Sequence, residues 1–410
     1  MSNNFCIKPF DTLWINPEGT VCVCCKNPVK ISDPSGKNYN VSSDKLSTIW
    51  MSDHMKTLRK KFINGEKPDE CKQCWDEEDT GIQSLRKGTT QTFFESNPDI
   101  DRDLLIKSQE DSPVIRELNL TLTNKCNLAC RICGPYLSSL WQTQHEKLNI
   151  PLLPADYFET VSLDKFDDNR RQALHTMSTH LRNVLIYGGE PLINDEVLDY
   201  LKFLVDSDLA KNIDLTMNTN GTVYNEDLIK VFSNFHRVNL FLSIDDIGTR
   251  FEYQRWPAKW SKIEQNLIKY SSLSAPFHVG IYPTTSLLNI VTLEETLDEL
   301  NKYGIPMMFN NLIHEPEILC LKNLPDDLKA EVIKIVEKID FTKYNFFNPD
   351  SGHKEFIINF INLPRDRGHE YGDKEYYRKD LEHFLSVHDT NRKTYMKDYL
   401  PKLNEMLYGN

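Results

Sequence analysis

The chain has 410 residues, with 48 Lys and Arg against 60 Asp and Glu and a formal net charge of −12. This charge disfavours a protein built to neutralise nucleic-acid phosphates. Hydrophobic residues make up 40% of the chain, yet no uninterrupted apolar run approaches the roughly 20 residues that span a bilayer. The start, MSNNFCIKPF, lacks the basic and apolar regions of a signal peptide. We expect a globular, cytoplasmic protein without a membrane or nucleic-acid partner.

Residues 1–95 predict a small cysteine-bearing domain. Two short alternating runs around the turn at 16–19 predict a β-hairpin. Apolar side chains at helical spacing predict a helix within 45–64. The polar, acidic residues 91–112 predict a linker to the next domain.

Residues 113–312 alternate β-rich runs with helical patterns, which predicts an α/β fold whose parallel sheet is open or curled into a partial barrel. Several runs are nearly continuous apolar segments, as expected of strands covered on both faces. The long first crossover, 135–182, predicts a helical insertion, and 313–410 predict a helical C-terminal region. The predicted strands are 115–123, 183–187, 213–218, 238–244, 278–283 and 306–309.

Nine of the ten cysteines lie before Gly134, and in a protein without an export signal such clusters bind metal more often than they form disulfides. Cys126, Cys130 and Cys133 have the spacing C-x3-C-x2-C directly after the first predicted barrel strand. A short loop of this kind holds three irons of a 4Fe-4S cluster and leaves the fourth without a protein ligand. The alternative is a zinc site, which would need a fourth Cys or His nearby.

The three-cysteine loop resembles the signature of the radical S-adenosylmethionine (SAM) superfamily, and the resemblance extends over roughly 114–309. It implies a partial (β/α)6 TIM-like barrel in which the open iron of the 4Fe-4S cluster binds SAM. One electron from the reduced cluster would then cleave SAM to methionine and a 5'-deoxyadenosyl radical, which abstracts a substrate hydrogen. The implied partners are an electron donor such as flavodoxin or ferredoxin and a small-molecule or peptide substrate.

Two further motifs support the resemblance. Gly188, Gly189, Glu190 and Pro191 follow the second predicted strand and match the element that binds the amino group of SAM. Two glycines allow close backbone approach to a ligand, and a carboxylate accepts hydrogen bonds from an ammonium.

The ends of the third and fourth predicted strands carry the remaining SAM-binding candidates. Asp246 stands where relatives have glycine. The alternative role for Asn220 and Asp245 is local turn capping. The candidates are Asn218, Asn220, Ser243 and Asp245 at these strand ends, and Arg255 further along the chain after the fourth strand.

The N-terminal cysteines form a second metal-binding pattern, a hairpin facing a C-x2-C turn. The pattern is specific for metal but does not distinguish zinc from iron-sulfur. It resembles the twitch or SPASM domain, which binds an auxiliary cluster, although here it precedes the barrel. Only Cys320 follows Cys133, so the resemblance implies one auxiliary 4Fe-4S cluster, as in the twitch arrangement.

Four cysteines are the predicted ligands of this auxiliary cluster. Cys24 aligns with the family position. Cys25 is the alternative and would point to the opposite face of the strand, whereas Cys22 shares the face of Cys24. The predicted set is Cys6, Cys24, Cys71 and Cys74.

The leading hypothesis is a radical SAM oxidoreductase acting on a peptide, sugar or nucleotide. One alternative is a non-catalytic iron-sulfur or zinc-binding scaffold, and another is a zinc-bound nucleic-acid adaptor. Intact SAM-contacting motifs favour the enzyme, because a scaffold does not need them. We expect Cys320 to be a buried structural residue.

Overall fold

The hairpin at the start of the chain is part of the main β-sheet. In the computed structural model, strand β1 (Thr12–Ile15) pairs antiparallel with β2 (Val21–Cys22) and parallel with β3 (Glu117–Thr121). The register sets Leu13 opposite Leu118, and both side chains are fully buried. The cysteine-bearing hairpin is therefore built onto the edge of the predicted barrel sheet.

The described residues form a seven-stranded open sheet in the order β2-β1-β3-β4-β5-β6-β7. Parallel pairing joins β3 to β4 and β4 to β5. This arrangement confirms the predicted α/β class with a parallel sheet. The further strands are β4 (Asn183–Tyr187), β5 (Asp214–Thr219), β6 (Arg237–Leu242), β7 (Phe277–Ile281), and a separate parallel pair, β8 (Thr284–Thr285) and β9 (Asn311–Leu312). The structure describes the chain except residues 1–3, 28, 80, 82, 112–113, 149–171, 173–174, 177, 310, 367, 369–372 and 410.

The sixth predicted barrel strand, 306–309, is reduced to an isolated parallel bridge between Ile281 and Met307. The Ile281 N–H donates to the Pro306 carbonyl at 2.9 Å, and the Met308 N–H donates to the Ile281 carbonyl at 2.8 Å. Because proline has no N–H, Pro306 cannot extend the ladder as a donor. Position 307 thus continues the sheet, but only over one residue.

The helices mostly lie where apolar residues recur at helical spacing. A difference occurs within 45–64, where Ser52 interrupts the predicted helix because its side chain accepts a hydrogen bond from the Met55 N–H and begins a new helix. The helices of the described residues are α1 (Lys8–Asp11), α2 (Leu46–Trp50), α3 (Asp53–Ile63), α4 (Lys72–Asp79), α5 (Leu85–Ser96), α6 (Arg102–Asp111), α7 (Ser139–Leu148), α8 (Asp195–Asp206), α9 (Glu226–Phe232), α10 (Gly248–Gln254), α11 (Trp260–Ser271), α12 (Leu287–Ile290), α13 (Leu293–Asn301), α14 (Asp326–Lys338), α15 (His353–Ile361), α16 (Lys374–Arg392), α17 (Met396–Tyr399) and α18 (Pro401–Tyr408).

The predicted linker at 91–112 is wrong, because α5 ends and α6 lies within it. Leu105 is 1% exposed and Gln109 is 4% exposed. The Gln109 side chain accepts a buried hydrogen bond of 2.9 Å from the Trp50 indole N–H. This polar segment is therefore packed structure.

Contacts divide the chain into two compact units, and the division passes through β5 and β6. The first unit comprises Met1–Lys125, Pro151–Met217 and Glu226–Asn239. The second comprises Cys126–Ile150, Asn218–Asn225 and Leu240–Asn410. The domain boundaries at 95, 113 and 312 stay a prediction. Helix α7 belongs to the predicted insertion at 135–182, of which 149–171 lie outside the described residues.

In the first unit, strand β4 buries one face more fully than the other. Val184 and Ile186 are at most 1% exposed, whereas Leu185 and Tyr187 are half-buried. The Tyr187 ring stacks on Trp14 with ring centroids 4.8 Å apart. This alternation differs from the expected burial of both faces and leaves one face partly accessible. In the described part of the chain, no helix is long and apolar enough to cross a membrane.

Candidate functional site

The three cysteines of the C-x3-C-x2-C motif lie on the loop that follows β3. Cys130 is 7% exposed, and Cys126 and Cys133 are half-buried. Burial, and then the charges of Cys130 and Cys126, raise the pKa of the Cys133 thiol to about 12. The three thiols are thus close enough to interact electrostatically. Bound iron would supply the positive charge that three thiolates need.

The middle of this loop is fixed by the residues at the end of α10. The Ala129 N–H donates to the Trp256 carbonyl at 2.7 Å, and the Arg131 N–H donates to the Gln254 carbonyl at 2.8 Å. These backbone bonds flank Cys130 on both sides. The position of its thiol therefore depends on α10.

Helix α7 holds the loop from its other side. The Ser139 hydroxyl accepts a hydrogen bond of 3.1 Å from the Cys126 N–H. The Trp141 indole N–H donates to the Cys130 carbonyl at 2.6 Å. Two of the three cysteine backbones are thus anchored by side chains of one helix, which favours a preformed site.

The Gly188-Gly189 turn lies in the first unit, against the residues that lead into the cysteine loop. A Cβ on Gly188 would lie 2.2 Å from Thr121 Cγ2, and one on Gly189 would lie 2.4 Å from the Lys125 carbonyl oxygen. The φ angles of +79° and +55° also favour glycine. Packing against 121–125 therefore requires both glycines, a reason separate from ligand access.

Glu190 follows these glycines and is fully buried. Its N–H donates to the Lys125 carbonyl at 2.8 Å. Its carboxylate accepts a hydrogen bond of 3.1 Å from the Leu192 N–H and begins the short 3₁₀ helix Pro191–Ile193. Glu190 thus caps its own turn, and its role toward SAM stays a prediction.

Asn220 reaches the cysteine loop within the second unit. Its amide nitrogen donates to Asn127 Oδ1 at 2.9 Å and lies 4.0 Å from Cys126 Sγ. Its carbonyl oxygen accepts from the Thr222 N–H at 3.0 Å. Asn220 therefore both caps a local turn and contacts the cysteine loop. Asn218 is half-buried on β5.

Asp245 and Arg255 form a buried ion pair next to Cys130. Arg255 Nε lies 2.5 Å from Asp245 Oδ2, and Arg255 Nη1 lies 4.0 Å from Cys130 Sγ. The Thr284 N–H donates to the other Asp245 oxygen at 2.7 Å. Burial opposes the charge of Arg255, but Asp245 and Cys130 outweigh it and raise its pKa. Ser243 precedes Asp245 in the chain, and its backbone N–H donates to the Thr219 carbonyl at 2.8 Å.

Asp246 has a structural role that the sequence did not reveal. It is fully buried and accepts hydrogen bonds from Arg250 Nε at 2.8 Å, Thr296 Oγ1 at 2.8 Å and Gln254 Nε2 at 3.0 Å. Burial raises its pKa, and the Arg250 charge opposes that shift. Asp246 therefore fixes α10, the helix that positions the cysteine loop. Its i, i+4 spacing to Arg250 was the available sequence signal.

The first unit contains a pocket lined by the predicted auxiliary-cluster cysteines, together with Lys8, Pro9, Val23, Lys26, Asn27, Phe62, Leu85 and Arg86. Cys25 is exposed and is not among the lining residues. Cys22 is buried, and its sulfur accepts a hydrogen bond of 3.5 Å from Asn16. The pocket therefore brings together the predicted set: Cys6, Cys24, Cys71 and Cys74.

Asn27 joins the hairpin to the C-x2-C turn, a role that spacing alone did not indicate. Its backbone N–H donates to the Cys24 carbonyl at 3.2 Å. Its amide nitrogen donates to Glu70 at 3.1 Å and lies 4.0 Å from Cys71 Sγ. Asn27 is 1% exposed. It therefore sets the separation of two predicted ligands.

Lys8 brings a buried positive charge to the same pocket. Its Nζ lies 2.5 Å from Glu117 Oε1, and the residue is 7% exposed. Burial opposes the charge, but Glu117, and then Cys24 and Cys25, raise the pKa of Lys8. A fixed cation here compensates the charge of buried thiolates.

Within the ranges that the structure describes, no three His, Cys, Asp or Glu side chains are arranged to hold a single metal ion. Tetrahedral zinc requires ligands that converge on one point. A 4Fe-4S cluster instead distributes its cysteines over separate irons. Thiolates are the ligands of such clusters, so the donor chemistry of both cysteine sets fits iron-sulfur clusters.

Comparison with protein families identifies both cysteine regions. The model described as the radical SAM superfamily matches residues 120–300, and the SPASM model, an iron-sulfur cluster-binding domain, matches 6–75. The chain therefore contains a radical SAM domain at 120–300 and a SPASM domain at 6–75. The SPASM match precedes the barrel, as predicted. The cofactors of these domains are a 4Fe-4S cluster with SAM and an auxiliary iron-sulfur cluster.

Curated relatives of this chain include GTP 3',8-cyclases. That of Campylobacter jejuni subsp. doylei is 26% identical over 133 residues, which are 32% of this chain and 36% of the relative. The match thus spans about a third of that relative's length. The enzyme of Campylobacter curvus is 23% identical over 263 residues, which are 60% of this chain and 73% of the relative.

Among solved structures, Streptococcus suis SuiB is similar to this chain with a TM-score of 0.37 and 13% identity. The alignment covers 65% of this chain and 62% of SuiB. A likeness of this size does not extend to activity.

Proposed function

We propose that this chain is an enzyme that reductively cleaves SAM and abstracts a hydrogen atom from a substrate. The observation that carries the proposal is a cluster of contacts within the second unit. There the cysteine loop meets Asn220, 4.0 Å from Cys126 Sγ, and the Asp245–Arg255 pair, 4.0 Å from Cys130 Sγ. These are polar groups at the carboxyl ends of parallel strands, where α/β proteins bind ligands.

The cysteine loop would hold three irons and leave the fourth open to SAM. When bound and reduced, the cluster and SAM together supply the 5'-deoxyadenosyl radical and methionine. Arg255 and Asn220 orient the cysteine side chains and offer donors near them. The residues proposed to bind SAM are Gly188, Gly189, Glu190, Pro191, Asn218, Asn220, Ser243, Asp245 and Arg255.

The pocket of the first unit would hold the auxiliary 4Fe-4S cluster through Cys6, Cys24, Cys71 and Cys74. We propose a cytoplasmic enzyme that receives electrons from a donor such as flavodoxin or ferredoxin. The substrate class is a peptide, sugar or nucleotide. Because the curated relatives are named GTP 3',8-cyclase, GTP is the first substrate to test.

The test is anaerobic reconstitution followed by iron counting and a dithionite-driven assay for 5'-deoxyadenosine. The wild type should bind about eight irons, and a Cys126, Cys130 and Cys133 triple Ala variant about four, because each cluster holds four. A Cys71, Cys74 double Ala variant should also bind about four irons and keep SAM cleavage. Only the triple variant should form no deoxyadenosine.

Full iron without SAM cleavage by the wild type would refute the proposed activity and favour a scaffold. Zinc in place of iron would refute the cluster assignment itself.

A further inference from the structure

Arg131 lies inside the cysteine loop, between Cys130 and Cys133, and is fully buried. Its guanidinium carbon lies 3.5 Å from the ring centroid of Tyr253, whose carbonyl oxygen accepts a hydrogen bond from Nη1. Its Nη2 donates to Asp389 Oδ1 at 2.5 Å and to Thr394 Oγ1 at 2.8 Å. A buried cation at this place requires a compensating anion.

Asp389 supplies that anion from the C-terminal helix α16. Its second oxygen, Oδ2, accepts from the Tyr253 hydroxyl at 3.2 Å and from the Met396 N–H at 3.0 Å. Its backbone carbonyl accepts from the Thr394 N–H at 3.1 Å. Asp389 thus fixes the end of α16 and the following turn around the Arg131 guanidinium.

The same helix contacts both elements that hold the cysteine loop. The His388 ring meets Trp141 of α7 edge to face, with centroids 4.6 Å apart. Arg392 donates to Gln144 at 2.9 Å and lies over the Trp256 ring at 5.0 Å. These contacts pack the C-terminal region, for which no site role was predicted, against the residues that support the cysteine loop.

We propose that Asp389 is a positioning residue for the SAM-binding cluster. Asp389 neutralises the charge of Arg131 and thereby keeps the reduction potential of that cluster low. Reduction adds negative charge to the cluster, so an uncompensated cation nearby would favour the reduced state and raise the potential. The pair Arg131–Asp389 itself carries no net charge, and the neighbouring cation Arg392 is the same in every variant compared below. The inference rests on the proposed function, because it requires a cluster on the cysteine loop.

The test compares Asp389→Asn with Asp380→Asn in the full-length, reconstituted protein. Asp380 is exposed on the same helix, so it controls for loss of one carboxylate. Iron content is counted, and the midpoint potential is measured by an EPR-monitored redox titration. The SAM-binding cluster is identified as the signal that changes when SAM is added.

Asp389→Asn should shift this midpoint to a more positive value than Asp380→Asn. Arg131→Gln should shift it in the opposite direction, because it leaves the carboxylate unpaired. The double variant Arg131→Met, Asp389→Leu should return to the wild-type potential, since both charges are removed together. If Asp389→Asn does not fold, the potentials of the double variant and of Arg131→Gln still test the proposal. The double variant should fold, because replacing a buried ion pair by apolar side chains is often tolerated.

If the pair has only a structural role, substitutions at Arg131 or Asp389 change the iron content or the stability. The midpoint potential then does not shift according to the sign of the charge removed. Equal potentials in the folded single variants and the Asp380→Asn control would overturn the inference while leaving SAM cleavage by the wild type untouched. A wild type whose cysteine loop binds no iron would instead overturn the proposed function and this inference together.

Discussion

Replacing Asp246 by glycine tests whether this chain depends on a contact that its family resemblance does not predict. Relatives have glycine at this position. Asp246→Gly would therefore leave stability unchanged if only the backbone conformation of the loop at 246 were important. In the structure the change removes the acceptor of Arg250, Thr296 and Gln254. Asp246 is fully buried, so water does not replace these bonds until the segment opens.

The loss in free energy of unfolding can be worked out from the donors that lose the Asp246 carboxylate. Removing one partner of a buried ion pair costs about 3–5 kcal/mol. Arg250 keeps Glu295 at 3.2 Å and is 18% exposed, which places the effect near the lower end. Gln254 loses its acceptor in a buried setting, at about 1–3 kcal/mol for the unsatisfied group, whereas the Thr296 hydroxyl keeps the Thr292 carbonyl as an acceptor at 3.1 Å. Taken together, we expect Asp246→Gly to lower the free energy of unfolding by about 4–6 kcal/mol.

Urea unfolding followed by circular dichroism measures this loss, and iron counting measures its effect on the cysteine loop. Iron should fall because the Gln254 carbonyl holds the Arg131 N–H at 2.8 Å. The matched control is Asp208→Gly, since Asp208 is exposed with φ of 59°, a conformation that glycine adopts readily. The control should stay within about 0.5 kcal/mol of wild type. Equal stability of the two variants would refute the reasoning.

Three further predictions concern the cysteines and their contacts. Cys24→Ala should lose about one cluster's iron, roughly four atoms, whereas Cys22→Ala and Cys25→Ala should keep it; iron analysis that shows retention in Cys24→Ala contradicts the ligand set. Asn27→Ala should lower the reduction potential of the auxiliary cluster, because hydrogen bonds to cluster sulfurs raise it; an unchanged EPR-monitored titration would exclude this contact. Cys320→Ala should leave deoxyadenosine formation per loaded cluster unchanged, since the thiol is fully buried; its loss would indicate a chemical role.

Local sequence patterns predicted the barrel strands because each strand carries its own apolar run. The run at 183–187 coincides with β4, and 115–123 contains β3. The pairing of β1 with β3 was not predicted, since it joins residues about a hundred positions apart in register and local periodicity carries no information about such partners.

The failed linker prediction at 91–112 has a physical cause. Its polar composition resembles that of a solvated connection, but a few side chains decide its packing. Leu105 is 1% exposed, and the Gln109 amide is buried against Trp50. A hydrogen-bond partner offsets the desolvation cost of burying a polar residue, so composition alone did not reveal these helices.

The residues of the candidate site likewise fall into those that local spacing predicted and those that depend on tertiary contacts. Spacing predicted the three-cysteine loop because its thiols share a few consecutive residues. Asp246, Asn27 and Asp389 were missed as contributors because their roles depend on partners that folding brings close. Arg131 and Asp389 are separated by 258 positions, and only the tertiary structure shows that one compensates the other.

Both cysteine sets lie in surroundings that oppose ionisation. Burial raises the pKa of Cys6 and of Cys133 to about 12. A thiol must lose its proton to bind iron, so iron binding at either set releases protons. Burial makes the neutral thiol the favoured state before iron binds.

Each set also includes a cation that opposes this effect. Lys8 lowers the pKa of a thiol in the first unit, and Arg255 does so in the second. Each cation is fixed by a carboxylate at 2.5 Å, Glu117 for Lys8 and Asp245 for Arg255. Because the carboxylate neutralises much of the cation's charge, the cation assists thiolate formation without leaving a large net positive charge beside the metal. Glu117 and Asp245 therefore act on the two clusters through the cations they hold, which is why their loss should affect iron binding although neither is a predicted iron ligand.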